Sequence, residues 1–525
     1  MKLLDAIFNR GKSAAPGHRA SFARGGYEIV GNSGNRRAAQ PETEGEDGIV
    51  GDYGRNRLTA ASRDLMRNSP TRGTMDQQRR VNVVGTVGGK LHASFPEGFE
   101  DAAAEVMRYF NRVWAPKCEF TYGKSLNWLL KTVLTAEDVG GNVVLVFDDG
   151  LLTGGTGTGT IRGFEADEIA GISDTDFAAR FPNGYSQSGG FVYDQFGRFA
   201  GCFVSTTQRG RDNFETGKFL TLRRGEGANW IAVGPMRRFN QGRAVPPGAA
   251  ALTTAVDLHE ILSSETLAAK FNAQLVGQIV HDLGSNSGPD APGFSAPTGA
   301  AGNDAASETV KRVTLEHLRN VGIRYQDMPE GVKMELLDTK RPNANMPQFV
   351  DFLTGLIGGT AGLARVYSTL KAQTSYTAFR GEQVMTWPSF EEAQKDLERE
   401  VCDWAARLAI ARAVKRGEIA AALPEDWEYM LAWTWPKMRE VSEKDAQGAL
   451  KLKLENGMTS LTRELGPGEF DKIIEERKRE KQMFDDAGLV YPGTTTASGQ
   501  MVEDGNPAPD DGEDNPPNNE GGDNA

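Results

Sequence analysis

Two Gly-Lys-Ser tripeptides, Gly11-Lys12-Ser13 and Gly123-Lys124-Ser125, come nearest to the chemistry of a phosphate-binding loop. Such a loop needs a further glycine upstream so that backbone amides can curl around a phosphate, and Ala6 and Cys118 stand there instead. The run Thr153-Gly154-Gly155-Thr156-Gly157-Thr158-Gly159-Thr160 also invites a nucleotide. A dinucleotide fingerprint opens a helix whose amides converge on pyrophosphate, whereas Ile161-Arg162-Gly163-Phe164 reads as a strand, so a flexible hairpin connection is expected.

The five histidines, His18, His92, His259, His281 and His317, include no His-Glu-x-x-His, because His259-Glu260 is followed by Ser263 where the second ligand belongs. His259 and His281 are expected on a helix surface or interface. Gly284-Ser285-Asn286-Ser287-Gly288 has Asn286 in the place of an elbow nucleophile. Asp148-Asp149-Gly150 and Asp174-Thr175-Asp176 lack the remaining ligands of a calcium loop. Cys118, Cys202 and Cys402 are widely separated, which fits a reducing compartment and no structural zinc. No catalytic residue, metal ligand or cofactor site is therefore assigned, and an enzymatic reading has no positive support.

Stepping from chemistry to scaffold, 525 residues exceed one ordinary hydrophobic core, so two or more domains or an elongated subunit are expected. The 62 glycines imply many turns and close backbone contacts. No apolar run approaches the roughly 20 residues that cross a bilayer, which predicts a soluble, cytoplasmic protein with no membrane partner. A net charge of −12 argues against gripping nucleic acid over the whole surface. A contact with nucleic acid that must slide is a different case, because strong ion pairs with phosphates would have to break at every step. Residues 1 to about 50 are poor in large apolar side chains, and Met1–Arg37 sets seven basic residues against Asp5 and Glu28, which predicts a mobile arm. Residues 493–525 hold eight Asp or Glu and no Lys or Arg, the composition of a disordered acidic tail.

Between the tails, helices are expected at Gly98–Trp114, through Ala102, Val106, Phe110 and Trp114, and from Ser125 to Ala136, leading through an acidic-glycine turn into the strand Asn142–Phe147. Ala251–Leu283 reads as one long helix with an apolar face wide enough to want helices on two sides. Gly284–Ala306 is a long Gly, Ser, Pro and Asn loop. Phe349, Phe352, Leu353, Leu356 and Ile357 share a helical face, with Gly355, Gly358, Gly359 and Gly362 letting a backbone approach or the helix bend. Tyr367–Pro388 reads as a functional loop or broken helix. Ser389-Phe390-Glu391-Glu392 looks like a capping box, opening a helix of about 40 Å that carries Ala393, Leu397, Val401, Trp404, Leu408 and Ala411 on one stripe as far as Arg416. Trp427, Trp433 and Trp435 form a patch expected in a core or subunit contact.

Several of these segments, in this order, carry a resemblance. Arg63-Asp64-Leu65-Met66-Arg67-Asn68-Ser69-Pro70 with Asn82-Val83-Val84-Gly85, Gln241-Gly242-Arg243-Ala244-Val245-Pro246, the lead-in Pro342 to Phe349-Val350, Ser375-Tyr376-Thr377-Ala378-Phe379-Arg380-Gly381-Glu382, the Trp-containing long helix, Trp433-Thr434-Trp435-Pro436, Lys444-Asp445-Ala446 and Asn456-Gly457-Met458-Thr459-Ser460 resemble the portal proteins of tailed bacteriophages, lambda type. A histidine common in that family before the Gln-x-Arg element has no counterpart in Ile231–Met236.

The resemblance implies an α+β portal fold: a β-rich wing, long stem helices, a small clip and a helical crown, assembled as a ring of about twelve subunits around a central channel. The expected division is a disordered arm at 1–50, wing at 51–250, first stem helix at 251–283, clip at 284–346, second stem helix at 347–366 and channel loop at 367–388. The long helix, remaining wing and crown follow at 389–492, and the acidic tail at 493–525. Implied partners are double-stranded DNA, the terminase large subunit as energy source, major capsid and scaffold proteins, and head-completion or adaptor proteins. The implied location is the virion vertex, with host cytoplasm during assembly. Within the loop, Lys371, Gln373, Thr374, Ser375, Tyr376 and Arg380 are candidate non-catalytic contacts or gates for DNA. The alternatives are a DNA-packaging enzyme such as a terminase subunit, or a monomeric capsid scaffold or adaptor.

Overall fold

The computed structural model describes residues 46–205, 219–224, 229–239, 241–274, 278–281, 332–335, 345–371, 375–439, 443–461, 464 and 469–489. Most of the basic arm, the Gly284–Ala306 loop, almost all of the expected clip, and the acidic tail lie outside these residues. The chain divides into two units, Met1–Val441 and Ser442–Ala525.

The first unit opens with α1 (Glu46–Asn68), broken at Gly51 by a positive φ, and α2 (Pro70–Val83), whose proline sits in the first turn where its missing N–H costs nothing. Strand β1 (Lys90–Ala93) leads to α3 (Glu100–Arg108), which continues as a π turn, Tyr109–Trp114. The expected face of Ala102, Val106, Phe110 and Trp114 is buried. In α4 (Leu126–Gly140), the Ser125 hydroxyl caps the N-terminus by accepting from the Trp128 amide. That helix runs through Glu137 and Asp138 and stops only at Gly141, whose φ is positive.

Strands β2 (Val143–Phe147) and β3 (Ile161–Glu165) then form an antiparallel hairpin, followed by α5 (Asp174–Arg180). Next come β4 (Ser186–Ser188), β5 (Phe191–Tyr193), β6 (Phe199–Ser205), β7 (Phe219–Arg223) and β8 (Trp230–Val233). They make two antiparallel sheets with orders β3-β2-β8 and β4-β5-β6-β7. Every residue of β2 is buried because both of its faces are covered. By the two-residue period of a strand, Val143, Leu145 and Phe147 join the helical core, while Val144 and Val146 face Phe191, Cys202, Val204 and Leu222 of the second sheet. The far side of that sheet packs Val192 and Phe203 on Phe177 and Phe181, so this region is helix, sheet, sheet and short helix in layers.

Helix α6 (Leu252–Gln274) buries Leu252, Ala255 and Leu258 and leaves Leu267 exposed. The expectation of one helix to Leu283 is corrected: β9 (Gln278–His281) pairs with β10 (Val332–Glu335), Ile279 opposite Met334 and Val280 opposite Lys333. The β-branched pair that looked like helical face belongs to a two-stranded ribbon, and His281 lies in that ribbon instead of on a helix. Then come α7 (Met346–Thr360), α8 (Arg365–Thr369) and α9 (Tyr376–Leu397); a π turn, Glu398–Cys402, joins α9 to α10 (Asp403–Arg416) without a break. Strand β11 (Leu431–Thr434) returns to pair with β1, Lys90 opposite Thr434. The second unit holds α11 (Glu443–Glu455) and α12 (Glu469–Asp486).

Two expectations about the long helix change. It begins at Tyr376, so most of 367–388 is helix and Ser389 is no cap; Tyr376–Arg416 spans about 60 Å. Pro388 is tolerated because Thr386 and Ser389 tie the helix to its neighbour: the Ala364 amide donates to Thr386 Oγ1 at 2.9 Å, and Ser389 Oγ lies 2.9 Å from the Gly362 carbonyl. The apolar stripe also changes phase. Phe390, Ala393 and Leu397 are buried before the π turn, and Ala405, Ala406, Ala409, Ile410 and Ala413 after it, while Ala411 is exposed. One additional residue in a turn rotates everything downstream by about 100°. Trp433 packs edge-on to Phe110 with centroids 5.6 Å apart, placing that tryptophan in the core. Among the described residues no helix is long and apolar enough to cross a membrane.

Candidate functional site

Between α7 and α8 the path of the chain is set by glycines, and the ends of the following segment, Leu370, Lys371 and Ser375, are exposed. A Cβ on Gly358 would overlap Ser368, and Gly362, with φ of +71°, turns the chain where a side chain would meet Ser389. Gly355 and Gly359 face open space instead. Leu370 ends α8 in the left-handed region, a strained choice for a branched residue, and throws Lys371 outward.

Asp351 of α7 organises the basic side of this turn. Its Oδ2 accepts from Arg365 Nη2 at 3.0 Å, and its Oδ1 lies 3.6 Å from Lys371 Nζ. Ser375 stands at the N-cap of α9 without using its hydroxyl to cap, and no acidic residue occupies the first helical turn. Tyr376 is exposed, and its hydroxyl accepts from Arg380 Nη1 at 3.4 Å, one turn on. From the other side, Glu382 Oε2 accepts from the Val366 amide at 2.7 Å, fixing α9 to α8. The result is an exposed lysine held near Asp351, a half-buried arginine bonded to the Tyr376 hydroxyl, and the positive end of a helix dipole beside Ser375.

Of the candidates drawn from sequence, Lys371, Ser375, Tyr376 and Arg380 lie on this turn and the first turns of α9, whereas Gln373 and Thr374 lie outside the described residues. Sequence reasoning missed Asp351 and Arg365. Their only signal was helical spacing on either side of a glycine run, which does not say that the two ends of that run meet.

Other segments that looked functional hold the fold. Arg243 is buried, and its guanidinium donates to the carbonyls of Gly189 at 2.7 Å, Ala166 at 3.0 Å and Ile169 at 3.3 Å. Arg55 in turn donates to the Arg243 and Ala244 carbonyls. The Gln-x-Arg element thus staples the segments around Ala166, Ile169 and Gly189 together. The glycine-rich run connects β2 to β3 as expected, yet it is pinned and not loose. Asp148 Oδ1 accepts from the amides of Gly150, Leu152 and Thr153, and its Oδ2 accepts from the amide and hydroxyl of Thr158 and the hydroxyl of Thr153. Burial alone would raise the Asp148 pKa, but these bonds from Thr153, Thr158 and Leu152 hold it well below the usual carboxylate range. Arg412 closes the far side by donating to the Thr156 and Gly157 carbonyls.

Burial pushes the Cys118 thiol up to about 12 and the Cys202 and Cys402 thiols upward as well, so none offers a thiolate at neutral pH. Among the described residues no group of His, Cys, Asp and Glu is placed to hold a metal ion.

No curated protein matches the chain. Among solved structures it is similar to a chain of the virion of a native gene transfer agent particle, at 12% identity and TM-score 0.45, covering 77% of this chain and 92% of that one. It is also similar to chains of the neck of the empty particle computed with C6 symmetry, at 13% identity and TM-score 0.43, and of the neck of the native particle computed with C12 symmetry, at 12% and 0.43; each alignment covers 77% of this chain and 92% of the other. At the level of sequence, the family described as phage portal protein, lambda family, matches residues 33–394, from the basic arm through the wing, the α7–α8 turn and most of α9. The chain belongs to the lambda family of phage portal proteins.

Proposed function

We propose that copies of this subunit close into a ring of about twelve at a unique capsid vertex and that the α8–α9 turn faces the DNA passing through its channel. The observation that carries the ring is an apolar face that is uncovered among the described residues. Phe349, Phe352 and Leu356 recur along α7 and are exposed, Phe352 by 62%, and Met385 on α9 is exposed by 82%. Covering the exposed part of each such side chain with a neighbour would contribute about 1 kcal/mol or more, which favours association. Family membership supports the same reading.

In this ring, residues 51–250 form the wing. Helices α6 and α7 serve as the stem, with the first stem helix ending at Gln274, and the clip falls between them. The channel loop contracts from 367–388 to the turn between Leu370 and Tyr376. The ring is a passive conduit for packaging and ejection. It nucleates head assembly together with major capsid and scaffold proteins, takes its driving energy from the terminase, and later receives head-completion proteins. Native mass measurement of the purified full chain tests the ring: a closed oligomer of about twelve is expected. A particle that remained a monomer at high concentration would favour the adaptor alternative, and ATP turnover by the pure chain would favour the enzyme.

A further inference from the structure

Two cavities lie side by side around the segment after β8, and Met236 and Arg237 line both. The first, of about 490 Å³, has an aromatic floor: the ring centroids of Phe191 and Phe199 are 5.0 Å apart, and those of Tyr193 and Phe199 6.0 Å. Its wall, residues 236–242, is held in shape. Gln241 Oε1 accepts from the Arg237 amide at 3.0 Å, and the Tyr193 hydroxyl donates to the Gly242 carbonyl. Met236, Arg237, Arg238 and Phe239 are all exposed on this wall, Phe239 completely. Phe, Met and Arg presented together are the composition of an interface centre, and no described residue covers Phe239. The second cavity, of about 520 Å³, is acidic, because Glu392, Asp396 and Glu400 line it from the long helix. Arg79, also in its lining, is already engaged by Asp138, Nε to Oδ2 at 3.3 Å. The two together make one groove, aromatic with arginines at one end and anionic at the other.

We propose that this groove seats residues 22–30 of the chain's own N-terminal arm, Phe22-Ala23-Arg24-Gly25-Gly26-Tyr27-Glu28-Ile29-Val30. This is the apolar run of the arm nearest to Glu46, where α1 begins. The place where the arm joins the fold favours it. Arg55 of α1 donates to the carbonyls of Arg243 and Ala244 at 3.3 and 3.2 Å, and these two residues directly follow the groove's wall. Glu46 therefore lies within about 20 Å of the aromatic end. The fifteen residues 31–45 reach up to about 50 Å when extended, so the segment has chain to spare. The order of side chains agrees with that path. Tyr27, Ile29 and Val30, nearer to Glu46, meet the aromatic floor and Phe239, and Glu28 meets Arg237. Arg24, three residues and about 10 Å further along, meets the carboxylates of the second cavity. The contact is made within one chain and does not rest on ring formation.

The test uses the purified full chain with the photo-reactive p-benzoylphenylalanine in place of Phe239. Isotopically heavy and light chains are mixed and irradiated, and the cross-linked peptides are mapped by mass spectrometry. Cross-links to residues 22–30 are expected, heavy to heavy and light to light. Limited trypsin digestion supplies a second readout, because a docked site is cut only in the fraction of time it is undocked. Phe239→Glu sets a carboxylate against Glu28 and touches no core residue, so the fold is kept. Cleavage after Arg24 should be about tenfold faster in Phe239→Glu than in wild type, with cleavage after Arg36 and Arg37 unchanged. Cross-links between heavy and light chains would assign the groove to a second copy and overturn the proposal. So would cross-links to residues 1–20 or to any other segment, no cross-link at all, or equal cleavage after Arg24 in the two proteins.

Discussion

A methyl group placed on Gly358 would overlap the Ser368 hydroxyl, so α7 and α8 meet with no space between them. The same methyl would lie 2.9 Å from the Leu363 carbonyl. Gly358→Ala is expected to destabilise the subunit by about 1–3 kcal/mol, because both neighbours must shift. Gly355→Ala, one turn earlier, meets open space and should stabilise the isolated subunit by up to about 1 kcal/mol through helix propensity. Calorimetry of the two variants checks this, and equal melting points would contradict the packing.

Phe352→Glu separates folding from assembly. The side chain is exposed in the subunit, so stability should stay within about 0.5 kcal/mol of wild type. A charge on a face that joins copies cannot be buried cheaply, and native mass spectra should show rings lost. Intact rings in Phe352→Glu would remove α7 from the subunit interface.

Lys371→Ala combined with Arg380→Ala should leave ring assembly and melting unchanged, because neither side chain contributes to the core. Packaging or retention of DNA in particles carrying the double variant is expected to change. Normal DNA content would reject the turn as the DNA-facing element.

Asp148→Asn replaces a carboxylate that accepts from six donors with an amide that can accept at one atom only. A loss of about 2–3 kcal/mol in urea melts at pH 7 is expected. The Asp148 pKa is lowered on folding, so its stabilisation is present above the ordinary value of 3.8 and disappears as acid takes the pH below it. Wild type should therefore lose stability between pH 4 and pH 2.5 more steeply than the variant, and parallel acid curves would argue against Asp148 as the group that pins the glycine-rich run.

Much of this molecule could be read from residue spacing, and what could not has identifiable causes. The strand expected at Asn142–Phe147, the helix expected from Ser125 and the face of Ala102, Val106, Phe110 and Trp114 each follow from a local pattern, and the structure keeps them within a residue or a few. The start of the long helix was illegible because Pro388 is a break signal unless something outside the helix compensates; Gly362 and Ala364, far back in the chain, do so. The phase of the stripe after Leu397 was lost to the π turn, which no residue type announces. At the candidate turn, Lys371 and Arg380 stood out as cations of a family-like segment, but the partner that orients Lys371 is Asp351, twenty residues earlier. Arg243 was legible only as part of a family-like segment, and the three carbonyls gathered around it show what it does in the fold.

The pairing of Lys90 with Thr434 has a consequence for synthesis. Strand β1 leaves the ribosome about 340 residues ahead of the strand that completes it, a delay of about 20 to 70 s at ordinary elongation rates. Throughout that interval the helical core around Leu91 and Phe110 lacks Trp433, and the nascent chain presents that apolar surface to the cytosol. Chaperone demand for this polypeptide should accordingly peak late in translation and end abruptly once β11 has emerged.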